Sequence, residues 1–472
     1  MRAVTRSKED RSNSGPDGSR RLSLAGLGLL MTAVVLSPIF FGSVHTWAYT
    51  MVFGFVLAGA FLVVLSQVGV DADSGRLQVS VPLIAMTVVV PVVVLMGVLQ
   101  MAPLPVWLVK MVQPQSVFHA AMGQGPNAAG ASLSSVSLAP YRWPVRQSIV
   151  RWIVYGMLYW GLVQSLGTRR RIEAAVWMIL GIAALESLYG MFEAFSGSHR
   201  VLWYGKSAYP GNVSGTYINR NHFAGLMEMT LPLAFCAGAA VRVGKLDAEA
   251  KIRIRHSWMR WLFPFISGRH GGEKRVLLLI LGLIIGLGLI GSASRGGILG
   301  GLAGLAVVGL LFLRSDDTRR KGWGMLVVLA VLGLVSFRVD VERVMKRFEN
   351  LQSSIEVRYR YTRQTLQLAR DFPVAGVGLG NFRHAYPHYQ SPEDKDYFID
   401  YAHNDWAQLA AEAGWGGLAV AVACGVALVA ELLWRWWRRS RSWALSLGAA
   451  GIGAAVAMAI HSWSDFNLHI PA

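Results

Sequence analysis

VLLLILGLIIGLGLIGSASRGGILGGLAGLAVVGLLFL occupies residues 276–313. It reads as two apolar runs, 276–293 and 297–313, on either side of a short turn that holds one arginine, Arg295. Each run approaches the roughly 20 residues an α-helix needs to cross the hydrocarbon core of a bilayer. Backbone inside lipid must satisfy its own hydrogen bonds, so runs of this length are read as helices. The pattern recurs from end to end. Apolar spans are expected at 22–42, 47–69, 79–101, 148–166, 174–194, 221–241, 276–293, 297–313, 323–338, 409–432 and 443–460. Composition agrees: 53% of residues are hydrophobic and only 15% charged, where a soluble domain carries about 25% charged. The expected fold is all-α, a polytopic transmembrane bundle of eleven or twelve spans.

The formal net charge is +18. In a soluble chain this would suggest nucleic acid, but here the charges lie in the loops, which gives them a topological meaning. With the N-terminus inside, the inner segments hold 27 Lys and Arg and the outer ones 17. Dense clusters such as Arg169-Arg170-Arg171, Arg319-Arg320-Lys321 and Arg438-Arg439 all fall inside. An N-in inner-membrane protein is therefore expected. Residues 1–21 read as a disordered, basic cytoplasmic tail, and 22–472 as one membrane domain. The run at 22–42 is too long for a cleaved signal peptide and reads as a retained first span. Cys236 and Cys424 both lie in apolar runs, so no disulfide framework is implied.

Two outer segments, 102–147 and 338–408, are too long to be simple connectors, and both are expected to be periplasmic. The second reads as helices near 342–352 and 356–371, then the turn-rich PVAGVGLGN, then AHNDWAQLAAEAGW leading into the next span. Eleven spans would end the chain outside, at HSWSDFNLHIPA, where a twelfth span is expected to follow.

Charges in or beside spans are costly and point to function. Arg151, Glu193, Glu228, Arg295 and Glu412 are placed near outer span ends and Asp465 just beyond the last; only Glu186 falls near a span centre. Together they suggest a polar cavity facing the periplasm, although single end-placed charges also snorkel. A turn needs no arginine, and a guanidinium fork suits phosphate oxygens, so Arg295 reads as a lipid-phosphate contact. Asn219, Arg220, Asn221 and His222 crowd the start of the sixth span; capping explains one asparagine of that group. Arg358, Arg360, Arg363 and Arg370 share one expected helix, as a solvated face or as a wall for a diphosphate. Gly376, Gly378 and Gly380 resemble a phosphate-cradling loop, but GK[ST] is absent. His403 could take a proton from an attacking hydroxyl. His384 and His388 have metal-like spacing broken by Pro387.

These stretches together resemble the O-antigen ligase/O-antigen polymerase superfamily. The resemblance runs through QMAPLPVWLVKMVQP (100–114), GTYINRNHFAGLMEMTLPLA (215–234), SRGG (294–297), PVAGVGLGNF (373–382), HNDWAQLAAEAGWGG (403–417) and HSWSDFNLHIPA (461–472). It implies a multi-span helical fold with a large helical periplasmic loop before the last spans. The implied activity moves a glycan from undecaprenyl diphosphate to an acceptor, without cofactor, nucleotide or metal. The acceptor would be the lipid A core, another lipid-linked glycan or a protein hydroxyl; membrane lipid is a further partner and nucleic acid is not. By the same resemblance Arg295 and His403 match the functional arginine and histidine. Arg220, with Asn221 beside it, matches a polar substrate-binding position, and Arg358 or Arg360 the large-loop arginine. The physics fits this reading. Diphosphate is already a good leaving group, so cations that stabilise its developing charge matter most. In-line attack would invert the anomeric centre. The alternative is a transporter or flippase of lipid-linked sugars, which would favour internal repeats and paired charges at mid-span. The sequence shows no repeat. A scaffold without activity would not need the outer polar cluster.

Overall fold

The computed structural model describes residues 17–68, 84–117, 134–206, 211–241, 272–314, 318–333 apart from 329 and 332, and 348–472. The long helices are α1 (Asp17–Ile39), α2 (Thr46–Val68), α3 (Ile84–Met101), α4 (Val106–Val112, one short piece), α5 (Arg142–Ser165), α6 (Arg169–Ser196), α7 (Arg220–Ala240), α8 (Gly272–Gly291), α9 (Arg295–Leu313), α10 (Phe348–Asp371), α11 (Asp405–Trp437) and α12 (Ser442–His461). Among the described residues, strand is limited to two minimal antiparallel pairs: Leu104–Pro105 with Ser135–Val136, and Arg200–Val201 with Tyr204–Gly205. Among the described residues, eight helices are long and apolar enough to cross a membrane: α1, α2, α6, α7, α8, α9, α11 and α12. Apolar side chains such as Leu283, Leu299 and Val426 are more than half exposed, as lipid-facing residues must be. The protein is a polytopic helical membrane protein.

Three details differ from the sequence expectation. Residues 17–21 belong to α1, so helix begins inside the stretch expected to be disordered, while 1–16 lie outside the described residues. No break separates 352 from 356: the second expected loop helix and the described end of the first form one helix, α10. And α11 is not a straight lead-in to its span. It is interrupted at Gly414, whose φ of 71° and ψ of 175° leave the helical region. A Cβ there would lie 2.4 Å from the Val374 carbonyl oxygen, so glycine is required twice over. The expected span at 323–338 lies partly outside the described residues; 318–328 are helical.

The chain divides into two compact units. One comprises 1–37, 45–175 and 356–428, and the other 38–44, 176–355 and 429–472. In the first, α1, α2 and α5 share a core around Leu30, Val56 and Val154. A separate core around Leu368, Phe372, Phe382 and Tyr386 holds α10 against the loop that follows it. In the second unit α7, α8, α9 and α12 surround Phe223, Met227, Ile285 and Leu305. Water expulsion does not drive helices together in lipid, so close backbone approach must. Small residues four apart on facing helices provide it: Gly300 and Gly304 on α9, Gly453 and Ala457 on α12. A Cβ at Gly304 would lie 2.7 Å from the Gly453 carbonyl oxygen, and one at Gly453 would lie 2.9 Å from that of Gly304.

Candidate active site

In the second unit, the first turns of α7 and α9 touch. A Cβ on Gly297 would lie 2.5 Å from that of Ala224. The helices run parallel, since Gly300 meets Glu228 one turn further along. Arg220 and Arg295 are the first residues of these two helices, so both stand at the same end of a packed pair. Each helix is capped by the residue before its arginine. Asn219 accepts from the Asn221 amide at 2.9 Å, and the Ser294 hydroxyl accepts from Gly297 at 3.3 Å. Two helix N-termini carry partial positive charge, so the two guanidiniums add to a field that already favours an anion. Arg295 is exposed, at the end of a turn in which Ala293 takes a left-handed φ of 51°.

The segment after α12 closes over this end. Asp465, fully buried, accepts a short hydrogen bond from the Asn221 side chain. It also lies 3.9 Å from His222 Nε2. The His222 ring meets Phe466 edge to face at 4.6 Å. One turn deeper, His461 Nδ1 lies 3.1 Å from Glu228 Oε1, and both side chains are buried. The two glycines after Arg295 follow from this arrangement. A Cβ on Gly296 would lie 2.2 Å from Ser464 Oγ and 2.5 Å from the His461 ring. Asn221, expected to bind substrate, donates its side-chain amide to Asp465. The sequence does not bring out His461, because its partner lies 233 positions away. The carboxylate at 228, inside an apolar run, is the one signal that a buried partner exists.

Elsewhere in this unit the buried carboxylates also have partners. Glu193 pairs with Lys206 at 3.0 Å, and Lys206 donates as well to the Asn212 carbonyl. Glu186, the mid-span charge, accepts from the Thr216 amide at 2.7 Å and fixes the loop that leads into α7. Glu193 and Glu186 thus each have a partner of their own.

His403, Arg358 and Arg360 fall in the first unit. His403 directly precedes Asn404, which caps α11 by accepting from Ala407 at 3.0 Å. Its backbone is left-handed, with φ 53°. Such strain in a non-glycine residue is tolerated where surroundings hold it, and it clusters at functional sites. The adjacent Ala402 amide is pinned by Gln408 Oε1 at 2.9 Å. The imidazole lies 6.5 Å from the Tyr361 ring, nearly parallel to it. Burial, then the charge of Asp394, push the Tyr361 phenol above its ordinary range, so it stays neutral. Arg358 is three residues before Tyr361 on α10 and shares its face. Arg360, on the same helix, is engaged by a carboxylate of its own unit. Its fork is closed on Asp394, with Nε and Nη2 at 2.8 and 2.9 Å from the two carboxylate oxygens.

The glycine loop 373–382 is not a phosphate cradle. Gly376, Gly378 and Gly380 have φ of 67°, 93° and 74°, which is why they are glycines. Their amides, and those between them, are already spent. Ala375 donates to Gln113 Oε1, Gly376 to Phe372, Val377 to Ala411, Gly378 to Glu412, Leu379 to Gln100 Oε1, and Gly380 to Glu412 Oε2 at 2.8 Å. Glu412 Oε1 also receives Gln408 Nε2 at 3.1 Å. No N–H in 375–380 is left for a ligand. His384, of the broken metal-like pair, rests on the Tyr141 ring at 4.9 Å. Burial, then Arg383, lower its pKa.

Fold and site together define a multi-span helical membrane protein that gathers two arginines at the joined N-termini of packed spans. Residues 279–422 match the family model described as O-antigen ligase. Over those 144 of 472 residues the chain is similar to the O-antigen ligase family, which supports the superfamily resemblance. The match includes Arg295, Arg358, Arg360 and His403; Arg220 and Asn221 lie before it. No curated protein matches the chain.

Proposed function

We propose that this protein is a periplasm-facing, inverting glycosyltransferase. It moves a glycan from undecaprenyl diphosphate to an acceptor hydroxyl on lipid A core, a lipid-linked glycan or a protein. The observation that carries the reading is the pair Arg220 and Arg295 at the adjacent N-termini of α7 and α9. The O-antigen ligase match over 279–422 supports it. In this reading the arginines hold the diphosphate and stabilise the charge it gains as the anomeric C–O bond breaks. The acceptor oxygen attacks from the opposite face, and its proton passes to His403. Arg358 adds charge from α10.

The test is transfer by the purified full-length protein from a defined undecaprenyl diphosphate glycan to a defined acceptor. Arg295→Ala should lower the rate by roughly 10²–10³ at unchanged insertion, the scale seen when one preorganised charge-stabilising group is lost. Arg295→Lys should rescue poorly, because lysine keeps the charge but loses the fork. Wild-type rates in Arg295→Ala would reduce the residue to an interfacial anchor and sink the assignment.

A further inference from the structure

The end of the second unit away from Arg295 carries a different chemistry. α9 has 19 residues, about 28 Å at 1.5 Å per residue. That is close to the ~30 Å thickness of the hydrocarbon core. Its C-cap, Arg314, therefore stands one bilayer thickness from Arg295, at the opposite interface. There Arg314 meets the last turn of α11, with its guanidinium carbon 3.3 Å from the centre of the Trp437 ring and 5.4 Å from that of Trp436. Arg438 repeats the contact, 4.2 Å from the Trp434 ring. Trp436 is buried and donates to the Leu445 carbonyl at 2.8 Å, which ties α11 to α12. Trp434 and Trp437 are 55% and 61% exposed.

Both arginines are exposed, and neither has an acidic partner among the described residues. Stacking uses the face of a guanidinium and leaves its in-plane N–H donors for an anion. Arg439 and Arg441 add two more exposed cations to the same turn. Exposed tryptophans at a span end sit at headgroup depth. The anion available at that depth, across the whole width of the patch, is lipid phosphate.

We propose that Arg314 and Arg438, braced on Trp437 and Trp434, bind the headgroup of an anionic phospholipid in the leaflet opposite to Arg295. The site is separate from the transfer chemistry and does not depend on it. Plain interfacial anchoring by tryptophan would be indifferent to headgroup charge; this site is not.

The test is native mass spectrometry of the full-length protein released from detergent with phosphatidylglycerol or phosphatidylcholine of the same acyl chains. Wild type should retain phosphatidylglycerol preferentially, and added salt should weaken the preference. Each of Arg314→Gln and Arg438→Gln should lower phosphatidylglycerol retention by roughly fivefold, the fold-change of one basic residue near an anionic surface. Arg383→Gln, an exposed arginine of the other unit, should leave retention unchanged. Equal retention of the two lipids by wild type would overturn the proposal without any variant having to fold. So would undiminished phosphatidylglycerol in Arg314→Gln/Arg438→Gln, or an equal loss in Arg383→Gln.

Discussion

His403 is held where its side chain can matter and its backbone is uncomfortable. A left-handed φ costs alanine more than asparagine, which visits that region readily. His403→Asn therefore removes the imidazole at little cost to the fold. It should lower turnover by roughly 10²–10⁴ if proton abstraction is the residue's main task. Affinity for the lipid diphosphate should stay unchanged. Full activity in His403→Asn would assign the histidine to structure. At this scale the sequence draws the eye to residues with no local excuse. An arginine in a tight turn and a histidine at a span entrance both stood out. It was silent on partners far along the chain: Asn221 is answered by Asp465, 244 positions on, and Arg360 by Asp394, 34 positions on. Sequence spacing carries no trace of such pairings, because they are made by tertiary packing.

At the scale of elements, Glu412 organises the loop before α11 through Gly380, Phe382 and Gln408. Glu412→Ala would strand buried amides, at about 1–3 kcal/mol for each unsatisfied group. Hydrogen exchange should then speed up across 375–382 and at Gln408, with the glycine-paired α9 and α12 unchanged. Exchange that rises equally in α9, or nowhere, would contradict the local role given to this carboxylate. The membrane-crossing helices were legible, since apolar length decides them. The break at Gly414 was not. It depends on the Pro373 carbonyl, which accepts from Trp415 at 2.9 Å, and on a backbone crossing too close for any side chain.

For the whole molecule the open matter is which end faces which compartment, and here the distribution of Lys and Arg is the argument. Lys395, exposed in the long loop before α11, makes a probe in a background lacking Cys236 and Cys424. Lys395→Cys should react with a membrane-impermeant maleimide in intact cells whose outer membrane has been made permeable. Reaction only after the inner membrane is breached would invert the orientation and with it the side on which transfer occurs. The Gln100 side chain at the end of α3 donates to the carbonyls of Ala375 and Glu412, the latter 312 positions later. At roughly 5–20 residues per second, the ribosome supplies that second acceptor about 15–60 s after Gln100 itself. Until then the Gln100 amide lacks its second native acceptor, so this part of the first unit closes only after residue 412 has been made.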